Sequence, residues 1–280
     1  MALPEDFDLE EFVTRVFAED LGTGDVTSDA IIAKDARFTA EMNARQALVV
    51  AGLEIAAAFF RALDENVQVE QLIKDGTRVE RGTTLMRLGG NARSMLAAER
   101  SALNTLQHLS GIATLTRQYV DAIDGTGTVL LDTRKTIPGL RVLEKFASRM
   151  GGAQNHRMRL DDGVLIKDNH VAVCGSVAEA VRRAKAAATG LEVQVEVDRI
   201  DQIEPALAAG ADRLLLDNMD PAQLREAVQL VSHRVPLEAS GGVTLETIRF
   251  LAETGVTFIS VGRVTQSAPA VDIGLDYSLG

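Results

Sequence analysis

Six short apolar runs in the second half of the chain end on residues that can do chemistry. They read VLLDTRK (129–135), VLIKDNH (164–170), VQVEVD (193–198), RLLLDN (213–218), PLEASGG (236–242) and FISVG (258–262). The first two ends are cationic, with Arg134, Lys135 and Lys167. The next two are acidic, with Glu196 and Asp217; Asp198 and Asn218 are alternatives by spacing, better suited to capping the helices that follow. The last two offer Ser240, Gly241 and Gly242, then Val261, Gly262 and Arg263. Cations in fork geometry clamp carboxylates and phosphates. Carboxylates can hold Mg2+ or sugar hydroxyls. Gly-rich loops turn backbone N–H groups toward phosphate. These ends together describe a pocket for a polyanion and a divalent metal.

The charge distribution supports a focused anion site. The 280-residue chain carries a net charge of −11, which argues against nucleic acid or an anionic membrane as partner. From Arg134 to Lys167, however, eight Lys/Arg face three acids, so that segment is +5 and the remainder −16. Cations gathered within an acidic protein suit a small anion. His156 and Arg157 fall in a loop after Gly151-Gly152. Arg141, Lys145 and Arg149, spaced by four and close to Glu144, read instead as a solvated helix face. Cys174 is the only cysteine, which excludes an internal disulfide and a thiolate-rich zinc site. It is expected as a small buried residue in a reducing cytoplasm. No apolar run approaches the ~18 residues of a membrane span. The acidic start lacks the basic and apolar regions of a secretory signal.

Strand ends need elements to hold them. Helical patterns at 139–150, 176–188, 200–209, 221–231 and 244–254 separate most of the six runs. Ser176, Asp220-Pro221 and Thr244 mark helix starts; Gly190, Gly210 and Gly255 mark ends. This alternation is that of an α/β barrel, which places its chemistry at the C-terminal ends of its strands. Six strands fall short of the usual eight, so the barrel is either incomplete or has strands not legible here. The first half is expected to form a separate α/β domain. An amphipathic helix covers 5–20, with Phe7, Phe12, Val16 and Phe17 on one face. A strand region follows at 36–50, then a helix at 52–63 opened by Gly52. A small sheet at 67–90 turns at Asp75-Gly76 and Arg81-Gly82. A long helix at 92–122, divided or bent at Gly111, leads to the barrel. Domains are expected at 1–115 and 116–280, the C-terminal tail being free to return to the first.

The runs EDLGTGDVTS (19–28), AERSALNTLQHLSGIAT (98–114), LDTRKTIPGLRVLEKFASRMGGAQNHRMRLDDGVLIKDNH (131–170), VEVD (195–198), LLLDN (214–218), LEASGGV (237–243) and ISVG (259–262) carry a resemblance that spans nearly the whole chain. They resemble quinolinate phosphoribosyltransferase, also called nicotinate-nucleotide pyrophosphorylase (carboxylating). The block from 131 to 170 is long and highly specific. The resemblance implies an open α/β sandwich followed by an open, incomplete α/β barrel of the type II phosphoribosyltransferase kind. It implies joining of quinolinate to phosphoribosyl pyrophosphate, with Mg2+, to give nicotinate mononucleotide, pyrophosphate and CO2 in de novo NAD biosynthesis. It also implies a homodimer.

Carried over residue by residue, the resemblance places Thr133, Arg134, Lys135, His156, Arg157 and Lys167 around the substrate anions. Arg100, in AERSALN, would reach the neighbouring subunit's quinolinate. Glu196 and Asp217 would serve the ribose and Mg2+, and with Lys135 form the catalytic group. From their place in Gly-rich strand ends, Ser240, Gly241, Gly242, Val261, Gly262 and Arg263 are expected to hold phosphate. One departure stands out. After ISVG many family members continue Ala-Leu-Thr-His, whereas this chain has Arg263-Val264-Thr265-Gln266. An amide replaces the expected imidazole, and Arg263 adds a charge. The nearest rivals on the same fold are a relative linked to molybdenum transport, a nicotinate-specific relative, and a binding protein without activity.

Overall fold

The computed structural model describes Leu3 and residues 7–278, Ser278 by its backbone alone. Residues 5 and 6 of the helix expected at 5–20 lie outside the described residues. The chain divides into two compact units. The first comprises Met1–Thr116, Val142–Gly152 and Ser267–Gly280; the second comprises Arg117–Arg141 and Ala153–Gln266. The segment 142–152, expected in the barrel domain, thus belongs to the first unit, as does the tail.

In the first unit, helix α1 (Leu9–Asp20) is capped by the Asp8 carboxylate, which accepts from Glu11 N–H. Its Phe12 and Phe17 meet Phe59 of α3 (Leu53–Leu63) edge-on at 6.1 and 5.4 Å. The short α2 (Val26–Ile31) lies between them in sequence. An antiparallel sheet has the order β12-β1-β5-β3, made of β1 (Arg37–Ala44), β3 (Gln68–Gln71), β5 (Thr84–Asn91) and β12 (Ile273–Ser278). A separate pair joins β2 (Leu48–Val49) to β4 (Arg78–Val79). The tail strand β12 escaped the sequence reading.

Helix α4 (Ala92–Ala122) runs unbroken through Gly111, so the helix is not divided there. A Cβ at Gly111 would stand 2.2 Å from Pro269 O, so this glycine admits the returning tail. Helix α5 (Arg141–Gly151) also corrects the sequence reading. Glu144 and Lys145 are fully buried, and Arg141 and Arg149 partly so, so this is no solvated face.

The second unit is built on six parallel strands: β6 (Val129–Leu131), β7 (Val164–Ile166), β8 (Val193–Val197), β9 (Arg213–Asp217), β10 (Leu237–Ser240) and β11 (Phe258–Ser260). All six are the runs read from the sequence. Their order is β6-β11-β10-β9-β8-β7. That is chain order closed into a ring, with the hydrogen bonds between β6 and β7 missing. The barrel is therefore open along one seam, where a lone bridge ties Leu131 to Gln154. Helices α7 (Val177–Ala186), α8 (Ile203–Ala208), α9 (Pro221–Val231) and α10 (Ile248–Ala252) alternate with the strands. Ser176 and Asp220 cap α7 and α9 as expected, whereas α10 begins only after Thr247. Asp198 and Asn218 cap nothing, since Arg199 and Asp220 occupy the N-cap positions. Helix α6 (Asp168–Cys174), directly after β7, was not anticipated, and Cys174 on it is half-buried where full burial was expected.

Period-two alternation sorts the strand residues. Val193, Val195, Val197, Leu214, Leu216, Leu237, Ala239 and Ile259 lie on one face and are buried. Gln194, Glu196, Arg213, Asp217, Glu238, Ser240 and Ser260 share the other by register. Gln194 on β8 reaches Glu238 on β10 across β9 at 2.8 Å, so this polar face is the concave one.

Candidate active site

The cations stand where the sequence placed them, and the structure adds what holds them there. Beyond β6, Asp132 is fully buried. Its carboxylate accepts from the backbone N–H of His156 at 2.8 Å and from the Asn155 side-chain amide. This buried acid fastens the 155–157 loop beside the 133–135 segment. Asp132 was not legible as a site residue from the sequence, although it stands directly before Thr133-Arg134-Lys135. Arg141 completes the fastening by donating to Thr136 Oγ1 and Met158 O, both at 3.1 Å.

Arg134 and Arg157 face one another closely enough to repel. Burial lowers the Arg157 pKa, and the charge of Arg134 lowers it further. The Arg157 guanidinium is held by Gly163 O at 2.8 Å. Arg134 Nε is buried with no hydrogen-bond partner. Like charges held close together, one of them with a buried donor left unpartnered, make this pair the candidate for binding an anion. The His156 ring is mostly buried, and its Nδ1 accepts from Arg157 N–H at 2.8 Å. Thr133 Oγ1 accepts from Lys135 N–H at 3.0 Å, shaping the turn. The Lys135 stem lies against Gly262, where a Cβ would meet its Cδ at 2.7 Å.

Lys167 and Glu196, assigned separately to anion and metal, are paired at 3.2 Å across β7 and β8. Asp217, at the end of β9, accepts from Asn218 Nδ2 at 2.6 Å. Asn218 has φ 55°, and its backbone N–H is bonded to Ser240 O at 2.8 Å. Its amide lies so close to Gly241 (φ 100°) that a Cβ there would stand 2.2 Å from Asn218 Oδ1. Asn218 therefore joins the acidic strand end to the glycine loop. Among the described residues nothing accepts from the N–H groups of Gly241, Gly242 or Gly262. Val261 is a correction: its N–H is spent on Leu131 O at 3.0 Å and its side chain is buried. Arg263 opens α11 (Arg263–Gln266) and is exposed, with Glu246 near enough for its charge to be felt. Arg100 is exposed on α4 of the first unit. Its neighbour Glu99 is bonded to Tyr277 OH.

No group of three or more His, Cys, Asp or Glu that could hold a metal occurs among the described residues. Glu196 and Asp217, carboxylates on neighbouring strands, are the residues that could hold Mg2+, an ion that takes one or two protein oxygens and fills the rest from water and substrate phosphates. No helix of the described residues is long and apolar enough to cross a membrane.

With strand ends ordered as cation, carboxylate and open glycine loop, the fold is that of an α/β-barrel enzyme. Comparison with known proteins makes this particular. Residues 25–110 match the family model "Quinolinate phosphoribosyl transferase, N-terminal domain", and residues 112–276 match the corresponding C-terminal domain. A probable nicotinate-nucleotide pyrophosphorylase [carboxylating] of Bacillus subtilis is 43% identical over 272 residues, covering 97% of this chain and 94% of its own. The Mycobacterium leprae nicotinate-nucleotide pyrophosphorylase [carboxylating] is 43% identical over 273 residues, covering 94% and 95%. Among solved structures, the Francisella tularensis nicotinate-nucleotide pyrophosphorylase superposes with a TM-score of 0.93 at 40% identity, covering 96% of each chain. The chain belongs to the quinolinate phosphoribosyltransferase family.

Proposed function

We infer that this chain makes nicotinate mononucleotide from quinolinate, with loss of CO2, in NAD biosynthesis, taking its ribose phosphate from phosphoribosyl pyrophosphate. The observation that carries the site assignment is the pair Arg134–Arg157, forced together with Arg134 Nε unpartnered. Quinolinate is a pyridine with adjacent carboxylates. Two guanidinium forks can take those carboxylates bidentately and relieve their mutual repulsion. A nicotinate-specific site, with one carboxylate to hold, would leave half of that charge unbalanced.

With the ring clamped, its nitrogen attacks the anomeric carbon as diphosphate departs. Positive charge then gathers on the ribose, and the carboxylates of Glu196 and Asp217 stabilise it. Lys167, held to Glu196, and Lys135 at the rim offset charge on the leaving diphosphate. The free N–H groups of Gly241, Gly242 and Gly262 receive phosphate oxygens. Glu196 and Asp217 would hold Mg2+, which when bound supplies further charge stabilisation to the diphosphate. No enzyme nucleophile is needed, and positioning contributes on the order of several kcal/mol. Bonding at nitrogen makes the ring an electron sink. The adjacent carboxylate leaves as CO2, and Lys135 is the candidate to protonate or stabilise the resulting carbanion.

The exposed Arg100 is read as completing the quinolinate site of a second subunit in a homodimer. The single cysteine accords with a reducing cytoplasm. The decisive assay supplies quinolinate, phosphoribosyl pyrophosphate and Mg2+ and follows nicotinate mononucleotide and CO2. Product in equal yield with CO2, abolished by chelator, is expected. Turnover of nicotinate in preference to quinolinate would overturn the substrate assignment, and undiminished turnover under chelation would overturn the metal.

A further inference from the structure

Below the rim, the concave face carries buried charges that the reaction as described does not use. Glu238, within β10, is fully buried. Its Oε2 accepts from Gln194 Nε2 on β8 at 2.8 Å and from Arg213 Nη2 on β9 at 2.7 Å. His156 Nε2 stands 3.5 Å from the same oxygen. Arg213 is itself fixed, its guanidinium lying 4.0 Å over the Phe258 ring. Burial would raise the Glu238 pKa, but the His156 ring, the Arg213 charge and the Ser260 hydroxyl outweigh it and hold the carboxyl below its usual value. Glu238 is thus an ionised carboxylate inside the barrel.

The other ring nitrogen of His156 decides what that carboxylate does. Nδ1 accepts from Arg157 N–H at 2.8 Å, which leaves Nε2, facing Glu238, as the ring nitrogen able to donate. Both nitrogens are engaged within the protein, one toward the barrel interior and one toward the main chain of a clamp residue. We propose that Glu238 is a positioning residue for the dicarboxylate site: it fixes His156 in the Nε2–H tautomer, and the ring in turn fixes the Arg157 main chain. The proposal rests on the reading of Arg134 and Arg157 as the quinolinate clamp. It assigns the buried Gln194–Arg213–Glu238 group to recognition of one substrate, since Glu196, Asp217 and the glycine loops are held by other partners.

The test begins without substrate. The chain has four histidines, so nitrogen-15 spectra of histidine-labelled protein at about pH 8, where an ordinary imidazole is neutral, are readily assigned. The His156 resonances are those absent from His156→Asn. A single Nε2–H tautomer is expected in the parent protein and a mixture in Glu238→Gln. A predominant Nδ1–H form in the parent protein overturns the proposal whether or not any Glu238 variant folds. In steady-state assays well below its unfolding midpoint, Glu238→Gln should raise the quinolinate KM about tenfold while kcat and the phosphoribosyl pyrophosphate KM stay within about twofold. An unchanged quinolinate KM, or an equal rise in both KM values, overturns it. Arg157→Ala, with Glu238 intact, tests the clamp separately: an unchanged quinolinate KM there sinks the clamp reading, while the tautomer result still judges Glu238.

Discussion

At the scale of single residues, geometry counts for as much as charge. Arg134→Lys keeps the charge but loses the planar fork. Hydrogen bonds to charged groups are worth about 1.5–3 kcal/mol, so the quinolinate KM should rise roughly 10- to 100-fold. A wild-type KM in steady-state assays would remove Arg134 from the clamp. Gly262→Ala tests the opposite side of the pocket. Its new Cβ meets the flexible Lys135 stem, not backbone, so the fold should tolerate it while Lys135 is displaced. Thermal unfolding should be unchanged and kcat should fall about 10- to 100-fold. The rim cations and acids were legible because charged residues directly follow apolar runs. Glu238, Gln194 and Arg213 were not, because a polar residue inside a strand has no address until register shows which face it joins. The alternation Val193-Gln194-Val195-Glu196-Val197 did carry that signal.

At the scale of elements, close backbone approach accounts for the glycine at 111 within the undivided α4. Gly111→Ala should lower the unfolding midpoint, since overpacking costs about 1–3 kcal/mol and the opposing Pro269 carbonyl belongs to backbone. Calorimetry would detect it, and an unaltered midpoint would mean the tail yields freely. The concave face makes a prediction about pH. Glu238 has a folded pKa below its ordinary 4.5, so its stabilisation is complete above that value and lost as pH falls through the lower folded one. Glu238→Gln leaves Arg213 without its counter-ion and should cost about 3–5 kcal/mol in denaturant unfolding at neutral pH. That difference should narrow steadily below pH 4.5. The six barrel strands were legible as apolar runs bounded by turn residues. Helix α6 was not, since it buries no residue and so leaves no apolar stripe in DNHVAVC.

At the scale of the whole molecule, the homodimer reading rests on Arg100. Arg100→Ala should raise the quinolinate KM strongly while sedimentation shows the dimer intact. Unchanged kinetics would confine each active site to its own subunit. The twofold division into units was visible as a change of rhythm, from short alternating runs to strand–helix repeats. The path of the chain between them was not: 142–152 and the tail belong to the first unit because of tertiary packing, which leaves no local pattern.

The ring order of the barrel has a consequence for how the protein is made. The strand partner of β6 is β11, and β1 gains β12 only from the tail. A chain emerging from its N-terminal end must therefore carry both strands with an open edge until residues 258–278 have been synthesised. Such distant pairings slow folding and prolong exposure of unpaired edges. Synthesis of β11 and β12, more than of any earlier strand, should set when both sheets close.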